Sequence, residues 1–165
     1  MPVQTTYSFA PEIGFAGQVV DNRYTLASVN AEASAAIPAG AAVIFYNAGS
    51  NDLAVRLPSA ITQEIKGIVT HSHAREFGRD LDSDTDGNNP GAVMNVMRVG
   101  VVMAICENGC VPGDRLHVRA LGGTAGALRS AADASNTRDC TAQGQWLSTA
   151  SAGGLAMLAV NFETK

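Results

Sequence analysis

The sequence predicts an all-β fold: a single jelly-roll-like β-sandwich or barrel with an extended N-terminal arm. Three observations carry this. Seventeen glycines and six prolines punctuate short runs rich in Val, Ile and Ala, the texture of short strands joined by tight turns. The runs recur at roughly the 8–12-residue interval of a sandwich or barrel. No stretch has the pattern of a long helix. At 165 residues the chain is about one domain long, and a domain of that size buries roughly 70% of its unfolded surface without needing staples.

Residues 1–12, ending in Phe9-Ala10-Pro11, show no sustained period and read as the arm, with 13–165 as the β-domain. Strands are expected at Phe15–Val20, Tyr24–Val29, Ala41–Tyr46, Leu53–Leu57 and Ile65–Thr70. Between them, Ala31–Ala36 has helix-favouring alanines, but its shortness and Pro38 favour an extended segment. The strongest strand is Val93–Cys106, where the odd positions Val93, Met97, Val99, Val101, Met103 and Ile105 are expected to line one buried face. That run is longer than an ordinary strand, so Gly100 marks a bend or bulge.

Asn108-Gly109 is a tight-turn signal, and Pro112-Gly113 fits a type II turn in which Pro sets φ and Gly supplies the positive φ that follows. From Asp114 to Leu121, polar Arg115, His117 and Arg119 alternate with Leu116, Val118 and Ala120, one wet face and one buried. Gly122–Gly126 is another turn. Ser130–Gln145 reads as a long polar loop with one helical turn at Ala131–Ala134, with Trp146 packed beneath it, and Leu155–Phe162 as the closing strand.

Composition narrows the function classes. Charged residues are 16% of the chain against 46% apolar, where soluble domains carry roughly 25% charge. Burying a neutral surface in an assembly is one way such a chain stays soluble. The net charge of −4 and the scattered placement of eleven Lys and Arg argue against nucleic acid, which needs a concentrated basic face. Met1-Pro2-Val3-Gln4 does not begin a secretion signal, and Val99–Cys106 falls far short of the ~20 apolar residues that cross a bilayer. The expectation is a soluble protein made in a cytoplasm, with Cys106, Cys110 and Cys140 reduced.

Three constellations bear on chemistry. Asp82, Asp84, Asp86 and Gly87 match the opening of a calcium loop, but its twelfth position is Val93 where a bidentate Glu belongs. The favoured reading is an acidic surface loop. His71 and His73, one residue apart on a strand, point the same way and with His117 from a neighbouring strand would form a metal site. With Glu76 the pattern resembles the two motifs of cupins, but the Glu follows too closely, Gly67 lies too near, and Leu121 stands where those motifs carry Asn. Strand-end histidines without metal are favoured. Cys106 and Cys110 flank a tight turn close enough for a bridge, with free thiols favoured. No P-loop, dinucleotide fingerprint or nucleophile elbow is present, so no catalytic residue, no cofactor and no enzyme activity are expected.

One family fits these features together. Ile13–Asp21, Ile37–Val43, Lys66–Val69, Met97–Val102, Val111–Asp114 leading to Gly122-Gly123, and Leu155–Phe162 resemble, in order and spacing, the cement (decoration) proteins of tailed-bacteriophage capsids. The resemblance implies a β-rich, jelly-roll-like domain on the outer surface of an icosahedral capsid in the virion. Its partner is then the major capsid protein, whose subunits it bridges and stabilises, after assembly in the host cytoplasm. No catalytic residues come with the family. A homo-oligomer is expected, a dimer rather than a trimer, with Thr5, Thr6, Tyr7, Ser8, Phe9, Pro11 and Glu12 as the partner-binding arm. Neither nucleic acid nor membrane is an expected partner. The rival readings are a cupin-like metalloenzyme and a phage tail or fibre accessory domain.

Overall fold

A computed structural model describes residues 14–46, 53–71 and 87–163. Its strands are β1 (Val19–Asn30), β2 (Ile37–Pro38), β3 (Ala42–Phe45), β4 (Ala54–Arg56), β5 (Gly67–Thr70), β6 (Gly87–Asn88), β7 (Val93–Cys106), β8 (His117–Arg119), β9 (Leu128–Arg129), β10 (Thr137–Asp139), β11 (Gly144–Trp146) and β12 (Gly154–Asn161). One 3₁₀ turn, Ala134–Asn136, is the helical structure among the described residues. The fold is all-β, as the turn spacing predicts.

Strand pairing closes two rings that share β7. In the first, β1 pairs with β4, β4 with β3, β3 with β5, β5 with β7, and β7 again with β1. Its interior holds Val43, Val55, Val69, Met94 and Val96, with Ile37 and Ala41. In the second, β7 pairs with β9, β9 with β8, a bridge from Arg115 to Gln145 leads to β11, and β11–β12 returns to β7. Val102, Ala104, Cys106, Leu116, Val118, Leu128, Trp146 and Leu158 fill it. Ring closure removes strand edges that would otherwise present unpaired backbone.

β7 reaches both rings because it is fourteen residues long. β1 runs along one edge. On the other edge β5 pairs with Asn95–Met97 and β12 with Val99–Cys106. Arg98 sits at the handover, its carbonyl accepting from Phe162 N–H (2.8 Å) and its guanidinium donating to Phe162 O (3.2 Å) and pairing with Glu163 (3.1 Å).

The buried face of β7 differs from the expectation. Even-numbered Met94, Val96, Val102, Ala104 and Cys106 are buried, while Val93 is 62% and Ile105 49% exposed. Met97 and Met103 are buried as well, the former against the outer wall of the first ring with Ile44 and Ile68. A strand apolar on both faces has no period by which to choose its inner one.

Two further differences concern strand extent. Of the expected strand Phe15–Val20 only Val19 and Val20 are extended, Ala16-Gly17 forming a turn, and they run without a break into Tyr24–Val29 as β1, whose register against β7 shifts three times between Val19 and Thr25. These bulges absorb Asp21-Asn22-Arg23, a segment that looks like a break in sequence. At the centre of the irregularity Gly100 adopts φ +148°, and a Cβ there would lie 2.2 Å from Asp21 O, so the predicted bulge glycine is a point of backbone contact. Ser130–Gln145 is not a loop throughout: β10 pairs with β8 and β11 with β12, and its helical turn lies at 134–136. Ala31–Ala36 contains no helix.

Candidate docking surface

The residues singled out for chemistry do not converge. His71 follows β5, packs edge-on against Phe15 with ring centroids 4.6 Å apart, and its backbone N–H donates to Gly17 O (2.8 Å). His117 opens β8, between β9 and β10, so β7 and β9 separate it from β5 in the sheet. Among the described residues no group of three His, Cys, Asp or Glu is placed to hold a metal. His73, Glu76, Asp82, Asp84, Asp86 and the arm residues Thr5, Thr6, Tyr7, Ser8, Phe9, Pro11 and Glu12 lie outside the described residues.

All three cysteines are free and buried. Burial pushes the Cys106 thiol up; burial and the neighbouring Cys106 push Cys110 to about 11, and burial pushes Cys140 to about 12. A thiol so protonated at neutral pH is a poor nucleophile.

Arg119 corrects the alternation expected on β8. Leu116, Val118 and Ala120 are buried as expected, but so is Arg119, with its side chain 6% exposed. It pairs with Glu107 (2.9 Å) and Asp133 (2.8 Å) and donates to the carbonyls of Leu121 and Gly122. Arg129 shares Glu107 (3.0 Å), and the Trp146 indole N–H donates to Arg129 O (3.3 Å). Hydrogen bonding from Arg119 holds the Glu107 carboxyl below the usual carboxylate range. The cluster ties the 121–136 segment to the end of β7; every charge in it is already engaged, which suits a structural tie rather than a reactive site. Two-residue periodicity missed it because the partners lie far apart in sequence.

What the surface offers instead is apolar. Over Val19–Tyr24, β1 is exposed on both faces, carrying Val20 at 51% and Tyr24 at 42% exposure beside Val19 and Phe15. Only Val29 and Asn30 of this strand pair with β4, and among the described residues no other strand pairs with its earlier part on the edge away from β7. Asp21 and Arg23 pair with each other here (3.1 Å), leaving little net charge. On the outer side of β7 and β12 the cross-strand pairs Val101 with Ala159, Met103 with Met157, and Ile105 with Leu155 are apolar; Met103 is itself covered, while Ile105 is 49% exposed.

Ile105 also borders a groove of about 320 Å³ between segments 38–41 and 124–128, completed by Ala16, Glu107 and Gly153. Its lining is mostly small side chains and backbone. Glu107 is its charged member, and that carboxylate is occupied by Arg119 and Arg129.

A ring-closed β-domain whose buried Arg119 is fully engaged and which exposes large apolar side chains on β1 suits a structural, docking role. The comparisons give the family. The model of the structural cement proteins (E217 gp24/Pam3 gp6) matches residues 3–161, and the chain belongs to that family of phage structural proteins. A solved structure titled "The capsid of Myoviridae Phage XM1" contains a chain of similar fold, at TM-score 0.66 and 20% identity, covering 98% of each chain. No curated protein matches the sequence.

Proposed function

We propose that the protein docks on the outer surface of a tailed-phage icosahedral capsid, bridges neighbouring major capsid protein subunits and stabilises the shell against internal pressure. The observation that carries this reading is the first half of β1, open on both faces through Val19–Tyr24 with large apolar side chains to bury. Membership of the cement family supports it. Docking removes that apolar surface from water at subunit seams, and repetition around a symmetric lattice multiplies modest contacts into firm attachment. The protein acts as a homo-oligomer, a dimer in this reading, with residues 5–12 adding contacts to the capsid protein. It is assembled in the host cytoplasm and has no catalytic role.

Co-sedimentation with capsids lacking the protein tests this, together with the temperature at which the shells release DNA. Added protein is expected to pellet with shells and raise that temperature. Val20→Asp, at an exposed position, is expected to keep the native melting temperature but lose occupancy. Protein that stays in the supernatant, and shells equally heat-resistant without it, would sink the reading.

A further inference from the structure

The groove beside Ile105 lies at a gap in the β7 edge. Met103 turns both backbone groups towards the start of β1: Gly17 N–H donates to Met103 O (2.8 Å) and Met103 N–H to Gln18 O (2.8 Å). Four residues on, Glu107 N–H donates to Leu128 O (2.8 Å) at the start of β9. Between these two attachments Ile105 faces the groove, its side chain half exposed at the rim of a recess otherwise lined by short residues such as Ala39, Ala125 and Ala127. The recess suits an apolar side chain: it is at the small end of ligand pockets, about 300–1,000 Å³, and its charged group is already paired.

The chain itself supplies a candidate next to the opening. The described residues begin at Gly14, where a Cβ would lie 3.5 Å from Met103 Cγ, and Ala16 is already part of the groove wall. Ile105 is two residues beyond Met103, about 7 Å along the strand. Upstream in sequence come Tyr7, Phe9 and Ile13, whose two- and four-residue intervals would put them on one side of the segment wherever it is extended. Phe9 is four residues from Ile13 and reaches about 13 Å from it, so it can enter the groove of its own chain. A tether this short also favours the same chain over another copy through a high effective concentration.

We propose that the groove between segments 38–41 and 124–128 seats residues 7–13 of the same chain, with Phe9 as the anchor. This assignment concerns the free protein and stands apart from the capsid reading. In that state the segment covers Ile105 and fills the gap between the β1 and β9 attachments.

Amide hydrogen exchange on the full-length protein, free of capsids, tests it. The amides of residues 7–13 are expected to exchange about tenfold or more slowly than an unstructured chain. Phe9→Ala, and Ala125→Leu, which fills the groove, should each return them to unstructured rates while β7 stays protected. Unstructured rates in the wild type would overturn the proposal, as would protection that survives both substitutions. Protection that rises with protein concentration would also overturn it, assigning the groove to the segment of a second copy.

Discussion

Replacing Gly100 by Ala tests whether β1 and β7 touch as closely as the fold requires. The added Cβ faces two penalties. At φ +148° an L-residue occupies a region that is essentially reserved for glycine, a strain of about 1–3 kcal/mol. The Cβ would also stand 2.2 Å from Asp21 O, over an ångström inside ordinary contact, so β1 must retreat at Asp21–Asn22 and weaken hydrogen bonds worth about 0.5–1.5 kcal/mol each. Together these give a loss of about 4 kcal/mol. A chain this long loses about 2–4 °C of melting temperature per kcal/mol, so Gly100→Ala is expected to melt roughly 10 °C below wild type. Gly91→Ala gives a reference for a positive φ without a close contact, because Gly91 has φ +77°, nearer the milder left-handed region, with nothing within 4 Å of a built Cβ; it should cost only a few degrees. Circular dichroism melts of the three proteins decide the matter. If Gly100→Ala melts within about 3 °C of Gly91→Ala, the close approach of Asp21 is not what requires glycine.

Three other expectations follow from the interior. Glu107 is held below its ordinary pKa chiefly by Arg119, so its contribution to stability is complete above the unfolded value near 4.5 and fades as pH falls through the lower folded value; Glu107→Gln should melt below wild type at pH 7 and approach it by pH 3, and parallel melting curves across that range would refute the role. The thiols of Cys106, Cys110 and Cys140, buried and with raised pKa values, should ignore a disulfide thiol reagent at pH 8 and all react in guanidinium; stoichiometric labelling of native protein would contradict their burial. Trp146, the one tryptophan, is fully buried, so its emission should be blue-shifted and shielded from acrylamide until global unfolding, and Trp146→Ala should cost about 3–5 kcal/mol in denaturant melts.

Local signals in the sequence recovered the pieces of this fold better than their arrangement. β7 has the predicted bounds, Val93–Cys106, and Gly109 and Gly113 take the positive φ expected of their turns, since turn chemistry and apolar runs are written in neighbouring residues. The inner face of β7 was not legible, because Val99–Cys106 is apolar on both sides and only the two rings distinguish them. β10 and β11 were missed for a related reason: Thr137-Arg138-Asp139 and Gly144-Gln145-Trp146 have no strand pattern of their own and are extended because β8 and β12 lie alongside. For the candidate surface, sparse charge announced an assembling protein. The particular patch on β1 was hidden, since Val19, Val20 and Tyr24 look like core residues until the strand is seen to run with both faces open.

The sharing of β7 by both rings also sets a schedule for the newborn chain. β1 is already available when β7 emerges from the ribosome, and the first ring can close at once. The edge from Val99 to Cys106 must wait for β12, whose first residue is Gly154, roughly 50 residues later, or about 3–10 s at 5–20 residues per second. Throughout that interval the most apolar strand of the protein is half paired, and every ribosome on the same message displays an identical sticky edge. Slower elongation lengthens the exposure, so yield of soluble protein should depend on translation speed downstream of Cys106 more than upstream of it.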